Sequence, residues 1–129
     1  MKTAEKIFVF GSNLGGRHGK GAALAARTHH GAIYGQAEGL QGRSYAIPTK
    51  TAALTSLPLY VIAAGVARFL EFARSRPDLE FFVTPVGTGL AGYTVAQIAP
   101  MFAEVPVNVE LPPAFKASLS SANSTPAGQ

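Results

Sequence analysis

The sequence predicts an α/β fold: a single three-layer domain whose mostly parallel or mixed central sheet is flanked by helices. Three observations predict it. Short apolar runs alternate with longer helical segments along the chain. Two glycine-rich loops, GSNLGGRHGKG from Gly11 and VGTGLAGY from Val86, each follow an apolar run and lead into a helix. The composition, 47% hydrophobic and 14% charged over 129 residues, suits one self-sufficient core. A chain of this length buries roughly two-thirds of its unfolded surface on folding.

The elements follow in order. Residues 6–10 form a short apolar run, read as a buried strand. After the loop at 11–16, the alanines Ala22, Ala23, Ala25 and Ala26 predict a helix over 20–28, with Gly31 as its stop. Ala32, Ile33 and Tyr34 are a candidate short strand, followed by a polar loop over 35–43. Residues 44–50 read as a strand. Pro48 places it at a sheet edge or leaves its end unpaired, because proline cannot donate to a ladder.

Ser56 is a candidate cap for a helix over 56–75, with Pro58 in its first turn. Tyr60, Ala63, Ala64, Ala67, Leu70 and Ala73 or Arg74 repeat at helical spacing and predict its core face. A second apolar strand is expected over 80–86. Thr94 then caps a helix over 95–102, and a last strand covers 107–111 before Pro112 and Pro113. The domain is expected to span 1–115. Residues 116–129, rich in Ser, Ala, Pro and Gly, are expected to form a flexible tail.

Composition also narrows function. There is no cysteine, which excludes disulfides, thiolate metal sites and a cysteine nucleophile. No run of about 18 apolar residues is present, and no signal-peptide core follows the N-terminus. The expectation is a cytoplasmic protein without membrane contact. Eleven Lys plus Arg against seven Asp plus Glu give a formal charge of +4, which favours an anionic ligand. The basic residues are scattered, so nucleic acid is the weaker inference.

The motifs sort by spacing. GGRHGKG is similar to a P-loop, but three residues rather than four separate Gly15 from Gly19, and Gly21 follows Lys20 where a magnesium-binding hydroxyl belongs. Gly87, Gly89 and Gly92 make a literal GxGxxG, but near the end of the chain rather than opening it, with Glu110 the only late acid. His29 and His30 point to different faces of a helix end and have no carboxylate at ligand spacing, so neither metal nor cofactor is expected. His18, inside the first loop, either donates to a phosphate or is solvated. Asn13 either bonds a ribose hydroxyl and orients water or makes an Asx turn that shapes the loop. Glu38 is the one candidate general base, against the alternative of a solvated loop glutamate. Tyr93 either stacks on a sugar or packs in the core. Asn13, Lys50 and Gly87 all fall where parallel strands end, and ligands of open α/β sheets bind beyond those ends.

These residues together resemble the macro-domain superfamily, which binds ADP-ribose. The resemblance rests on VFGSN followed by LGGRHGKGAALAA, and on FFVTPVGTGLAGY near the end, and it covers residues 7–102. The middle segment GQAEGLQGRSYAIPTK is similar to that of small macro-like proteins of bacteria and phages. The resemblance implies that Gly15, Gly16, His18, Gly19, Lys20 and Gly21 form the first phosphate loop. It implies that Gly87, Thr88, Gly89, Leu90, Ala91 and Gly92 form the second, with Asn13 and Tyr93 at the distal ribose. The family's adenine-reading aspartate has no counterpart; only Glu5 is acidic before the first loop. The implied function is binding of ADP-ribose or a related nucleotide diphosphate, with hydrolysis of an ADP-ribosyl linkage as the enzyme form. An ADP-ribosylated protein or a nucleic acid is the implied macromolecular partner. The alternative is a non-catalytic module that binds a nucleotide or an RNA end.

Overall fold

Strand β1 (Ile7–Asn13) is the axis of the sheet, and its side chains sort the core into two faces. Ile7 and Val9 point to one side, Phe8 and Phe10 to the other, as the two-residue period of a strand requires. The computed structural model describes residues 6–124. Glu5 and residues 125–129 lie outside them.

Helix α1 (Gly21–His29) covers the Phe8/Phe10 face. It is small-sided there, with Ala23 and Ala26 buried against Phe10 and Ala46. Gly31, at φ +76°, turns the chain out of this helix, and Ala32 N–H bonds back to the Ala26 carbonyl. The expected strand at Ala32, Ile33 and Tyr34 is absent. Ala32 and Ile33 are irregular and Tyr34 begins a turn, and Gln41 Oε1 accepts the Ile33 N–H at 2.7 Å, so side chain replaces ladder there. β2 (Gly39–Gln41) instead forms inside the stretch expected to be loop, as the antiparallel partner of β3 (Ser44–Lys50).

β3 is internal, between β2 and β1, and not an edge strand. Pro48 is tolerated because β2 reaches only Ser44, Tyr45 and Ala46, which leaves the proline's missing donor on an unpaired flank. The chain then crosses the other face as α2 (Leu59–Ser75) and returns as β4 (Phe81–Val83), parallel to β1. The helical period of α2 is as expected, and Leu70 and Ala73 are buried as expected, but Tyr60, Ala64 and Ala67 are exposed and the core face is rotated away from them. Ile62, Gly65, Val66, Phe69, Leu70 and Ala73 are buried, whereas Tyr60 is 77% exposed. The larger apolar stripe displaces the alanine-rich one, since burial free energy scales with apolar area. Phe69, Phe72, Phe81 and Tyr45 pack ring against ring beneath it, at centroid distances of 5.0–6.1 Å. Ser56 does not cap α2; Pro58 occupies that position, and the Ser56 hydroxyl donates to the Ala91 carbonyl.

Thr94 does cap α3 (Val95–Ile98), through a reciprocal box with Gln97. Pro100 then tightens the next turn, Ala99–Phe102, into the 3-10 form. β5 (Val109–Glu110) closes the sheet, whose order is β2-β3-β1-β4-β5 with all pairs parallel except β2 with β3. The expected tail is a helix as far as Ser124: α4 (Pro113–Ser124) buries Phe115 completely against Phe102, at 5.5 Å between rings. Phe115, with Leu119 one turn on packed against the same core, anchors a segment whose remaining composition reads as unstructured. Among the described residues five strands and four α-helices thus make one α/β domain, with α1 on one side and α2, α3 and α4 on the other. Among the described residues no helix is long and apolar enough to cross a membrane.

Candidate functional site

The chain leaves β1 by α1 to one side of the sheet and reaches β4, on the other side of β1, by α2. That reversal makes the carboxyl end of β1 a topological switch point, where open α/β sheets leave a crevice. A cavity of about 820 Å³ occupies it. The size lies within the range of ligand pockets, about 300–1,000 Å³.

Its floor is Gly11, Ser12 and Asn13 at the end of β1, with Thr49 and Lys50 of β3 beside them. A Cβ at Gly11 would stand 3.4 Å from Thr49 Oγ1 and 3.7 Å from the Gly87 nitrogen, so the two loops approach over a bare backbone. One wall is the first glycine loop: Arg17, Gly19, Lys20, Gly21, Ala22 and Ala23. α1 begins here without a side-chain cap and without an acidic residue in its first turn. Its first N–H groups therefore lack an intrahelical acceptor and carry the positive end of the helix dipole. The other wall is the second loop: Thr84, Pro85, Val86, Gly87, Gly89, Leu90 and Ala91. Within it Thr88 N–H bonds Pro85, Gly92 N–H bonds Gly89 and Tyr93 N–H bonds Gly87. The Gly89, Leu90 and Ala91 amides are left without an acceptor among the described residues.

The charge of the lining is one-sided. Arg17, Lys20 and Lys50 line the cavity, and no aspartate, glutamate or histidine does so among the described residues. Apart from the Tyr34 hydroxyl, the neutral polar side chains of the lining are already engaged. Ser12 donates to the Ala37 carbonyl, Thr49 to Ser12 at 3.2 Å and Thr84 to Val9 at 2.7 Å.

Several residues singled out from the sequence lie elsewhere. Glu38, the candidate base, is not in the cavity. It pairs in bidentate fashion with Arg68 of α2, at 2.7 and 3.2 Å, because that exposed guanidinium faces it across the sheet edge. His18 is neither a phosphate donor nor solvated. It is fully buried beneath its loop, edge-on to Phe10 at 5.3 Å and near Tyr34 at 6.3 Å. Burial pushes its pKa below the ordinary histidine value, and the charge of Arg27 works in the same direction against an opposing pull from the Gln36 backbone. Neither ring nitrogen reaches hydrogen-bonding geometry with a protein partner.

Asn13 lines the floor, but its carboxamide shapes the loop. Nδ2 donates to the Arg17 carbonyl at 2.8 Å and Oδ1 accepts the Arg17 N–H at 3.0 Å. Tyr93 packs against the core and donates its hydroxyl to the Leu57 carbonyl. Gly15, Gly16, Thr88 and Gly92 brace the loops without lining the cavity. Gly16, at φ +68°, lies so close to Gly35 that a Cβ would fall 2.4 Å from its carbonyl carbon.

Sequence reasoning missed Arg17, Tyr34 and Leu54. Arg17 had a signal, a cation inside a glycine loop. Tyr34 and Leu54 had none, because no local pattern says that an isolated apolar side chain in a turn will face a cavity. His29 and His30 stand with rings 6.4 Å apart, and among the described residues no three potential metal-ligating side chains gather.

Against known proteins, no family model and no curated protein matches this chain. A solved structure described as a protein of unknown function from Bacteroides thetaiotaomicron is similar to it. The similarity has a TM-score of 0.54 at 14% identity, over 85% of this chain and 90% of that one. At that identity the likeness establishes a shared α/β fold.

Proposed function

We propose that the cavity binds ADP-ribose or a related nucleotide diphosphate, in the manner of a macro-like domain. One observation carries the reading. Two glycine loops and the uncapped start of α1 converge at the sheet's switch point on a cavity lined, among the described residues, by three cations and no carboxylate. Backbone amides and cations so arranged favour a doubly charged, extended anion. Apolar walls at Val86, Leu90 and Tyr34 leave room for its organic parts.

The same lining supports binding over catalysis. Hydrolysis of an ADP-ribosyl linkage needs an activated water, and the only candidate carboxylate is bound to Arg68 outside the cavity. Turnover here would rest on positioning, backbone electrostatics and a phosphate of the substrate itself.

Calorimetry with ADP-ribose, ADP, AMP and NAD tests the proposal. Binding is expected for the diphosphates, weaker binding for AMP, and no release of ADP-ribose from an ADP-ribosylated protein. Gly89→Glu is the matched control. Gly89 has open space around its Cβ position, so the substitution leaves the fold intact and places a carboxylate among the phosphates. Undiminished affinity in that variant overturns the two-loop site. A salt-steep affinity for RNA, without nucleotide binding, transfers the basic surface to a nucleic acid.

A further inference from the structure

A third segment, residues 51–56, places Leu54 on the cavity and is fastened to both glycine loops. Arg17 of the first loop donates Nη2 to the Ala52 carbonyl at 2.5 Å, and Ser56 donates its hydroxyl to Ala91 of the second. A bridge between Lys50 and Ser56 closes its base. Inside it, Thr51 N–H bonds the Thr55 carbonyl at 2.7 Å, Leu54 N–H bonds Thr51 at 2.9 Å, and the two threonine hydroxyls meet at 2.8 Å.

At the tip of this clip stands Leu54, the one non-glycine residue with positive φ among those described, at +71°. A γ-branched side chain is disfavoured there, and folding alone would select glycine or asparagine. Core packing does not account for the leucine either, since it is 50% exposed. It does line the cavity, as does Leu90, which is 65% exposed. A strained, half-exposed apolar residue held rigidly at a pocket wall is explained by what enters the pocket.

We infer that Leu54 is the specificity-determining residue of this site: it packs on the nucleoside part of a nucleotide diphosphate while Arg17, Lys20 and Lys50 hold the phosphates. The inference rests on the nucleotide-diphosphate reading above and adds which part of the ligand each wall recognises. Apolar contact from one buried leucine is worth about tenfold or slightly more in affinity.

The test compares ADP-ribose, ADP and inorganic pyrophosphate on the wild type and on Leu54→Asn, Leu54→Gly and Leu54→Met. Asparagine and glycine suit the left-handed backbone, so both variants are expected to fold with an unchanged or raised melting temperature. Both are expected to lose about tenfold in affinity for ADP and ADP-ribose, and less than twofold for pyrophosphate. Leu54→Met, which keeps the apolar contact, is expected to retain the nucleotide affinity. Equal losses for ADP and pyrophosphate, or no loss for ADP, overturn the inference. A wild type that binds pyrophosphate as well as ADP overturns it while leaving the phosphate cradle standing. A wild type that binds none of the three overturns the nucleotide-diphosphate reading, and the inference with it.

Discussion

Replacing His18 with leucine is expected to stabilise the protein, although it removes a residue from the centre of the first glycine loop. The imidazole is 0% exposed, and both of its nitrogens are buried without a protein partner. A neutral imidazole carries one donor and one acceptor, and each unsatisfied group costs about 1–3 kcal/mol. Leucine forfeits the edge contacts to Phe10 and Tyr34, about 0.5–1.5 kcal/mol each, and introduces a modest shape mismatch. The net expectation at pH 7.5 is a gain of about 1–2 kcal/mol, read as a rise of about 3–5 °C in melting temperature for each kcal/mol. The sign of the pH dependence follows from burial. The folded pKa lies below the ordinary histidine value of 6.5, so the unfolded chain binds the extra proton first. Wild-type stability therefore falls as pH drops below 6.5, by at most about 1.4 kcal/mol per pH unit until the folded pKa is reached. His29 and His30 are common to both proteins, so the difference isolates His18. Denaturant melts at pH 7.5 and 5.5 measure it, and the gap is expected to widen at the lower pH. A variant less stable than the wild type at pH 7.5, or a gap that does not change with pH, would show that the imidazole is hydrogen-bonded or solvated after all.

Gly16→Ala is expected to cost about 3 kcal/mol or more in chemical denaturation, because the new methyl would sit inside the Gly35 backbone and φ is +68°. Gly19→Ala meets nothing within 4 Å and is expected to leave stability nearly unchanged, which makes it the control. ADP, GDP and UDP are expected to bind within about threefold of one another, since the hydroxyl hydrogens of Ser12, Thr49 and Thr84 are already committed to backbone carbonyls, and the Tyr34 hydroxyl alone is too small a set of donors to read a base edge. Discrimination above about a hundredfold in the same calorimetric panel would require a hydrogen-bonding reader at the base.

The legibility of this chain divides along a physical line. The strand–loop–helix order at β1 and at β4 was readable, because glycine, alanine and β-branched residues act locally, and so was the Thr94 cap. Errors came where distant parts of the chain decide. The face of α2 is set by which stripe meets Tyr45 and Phe81 of the sheet, where Phe69 packs, not by periodicity, which both stripes satisfy. β2 exists because β3 offers it an edge. α4 is held by Phe115 in a pocket that includes Phe102. The site divides in the same way. Its backbone parts, Gly19, Gly21, Gly87 and Gly89, were legible as loops. Its side chains were not: Glu38 went to Arg68, His18 turned inward, and Leu54 came from a segment with no motif.

That division bears on chemistry as well as on binding. A glycine loop can be read from sequence because its backbone does the work, and a cavity built from backbone, apolar side chains and three cations has few groups that exchange protons. Asn13, where orientation of a water would begin, holds the Arg17 backbone with both ends of its carboxamide. ADP-ribose carries two phosphates that each bear a single, permanent charge, so the ligand does not titrate near neutrality. With no imidazole or carboxylate lining the cavity among the described residues, its affinity is expected to stay flat from pH 6 to 8. Isothermal titration across that range measures it. A limb in the wild-type profile would mean that a proton-exchanging group reaches the ligand. Such a group would be the missing base, and it would bring hydrolysis of the ADP-ribosyl bond back ahead of simple binding.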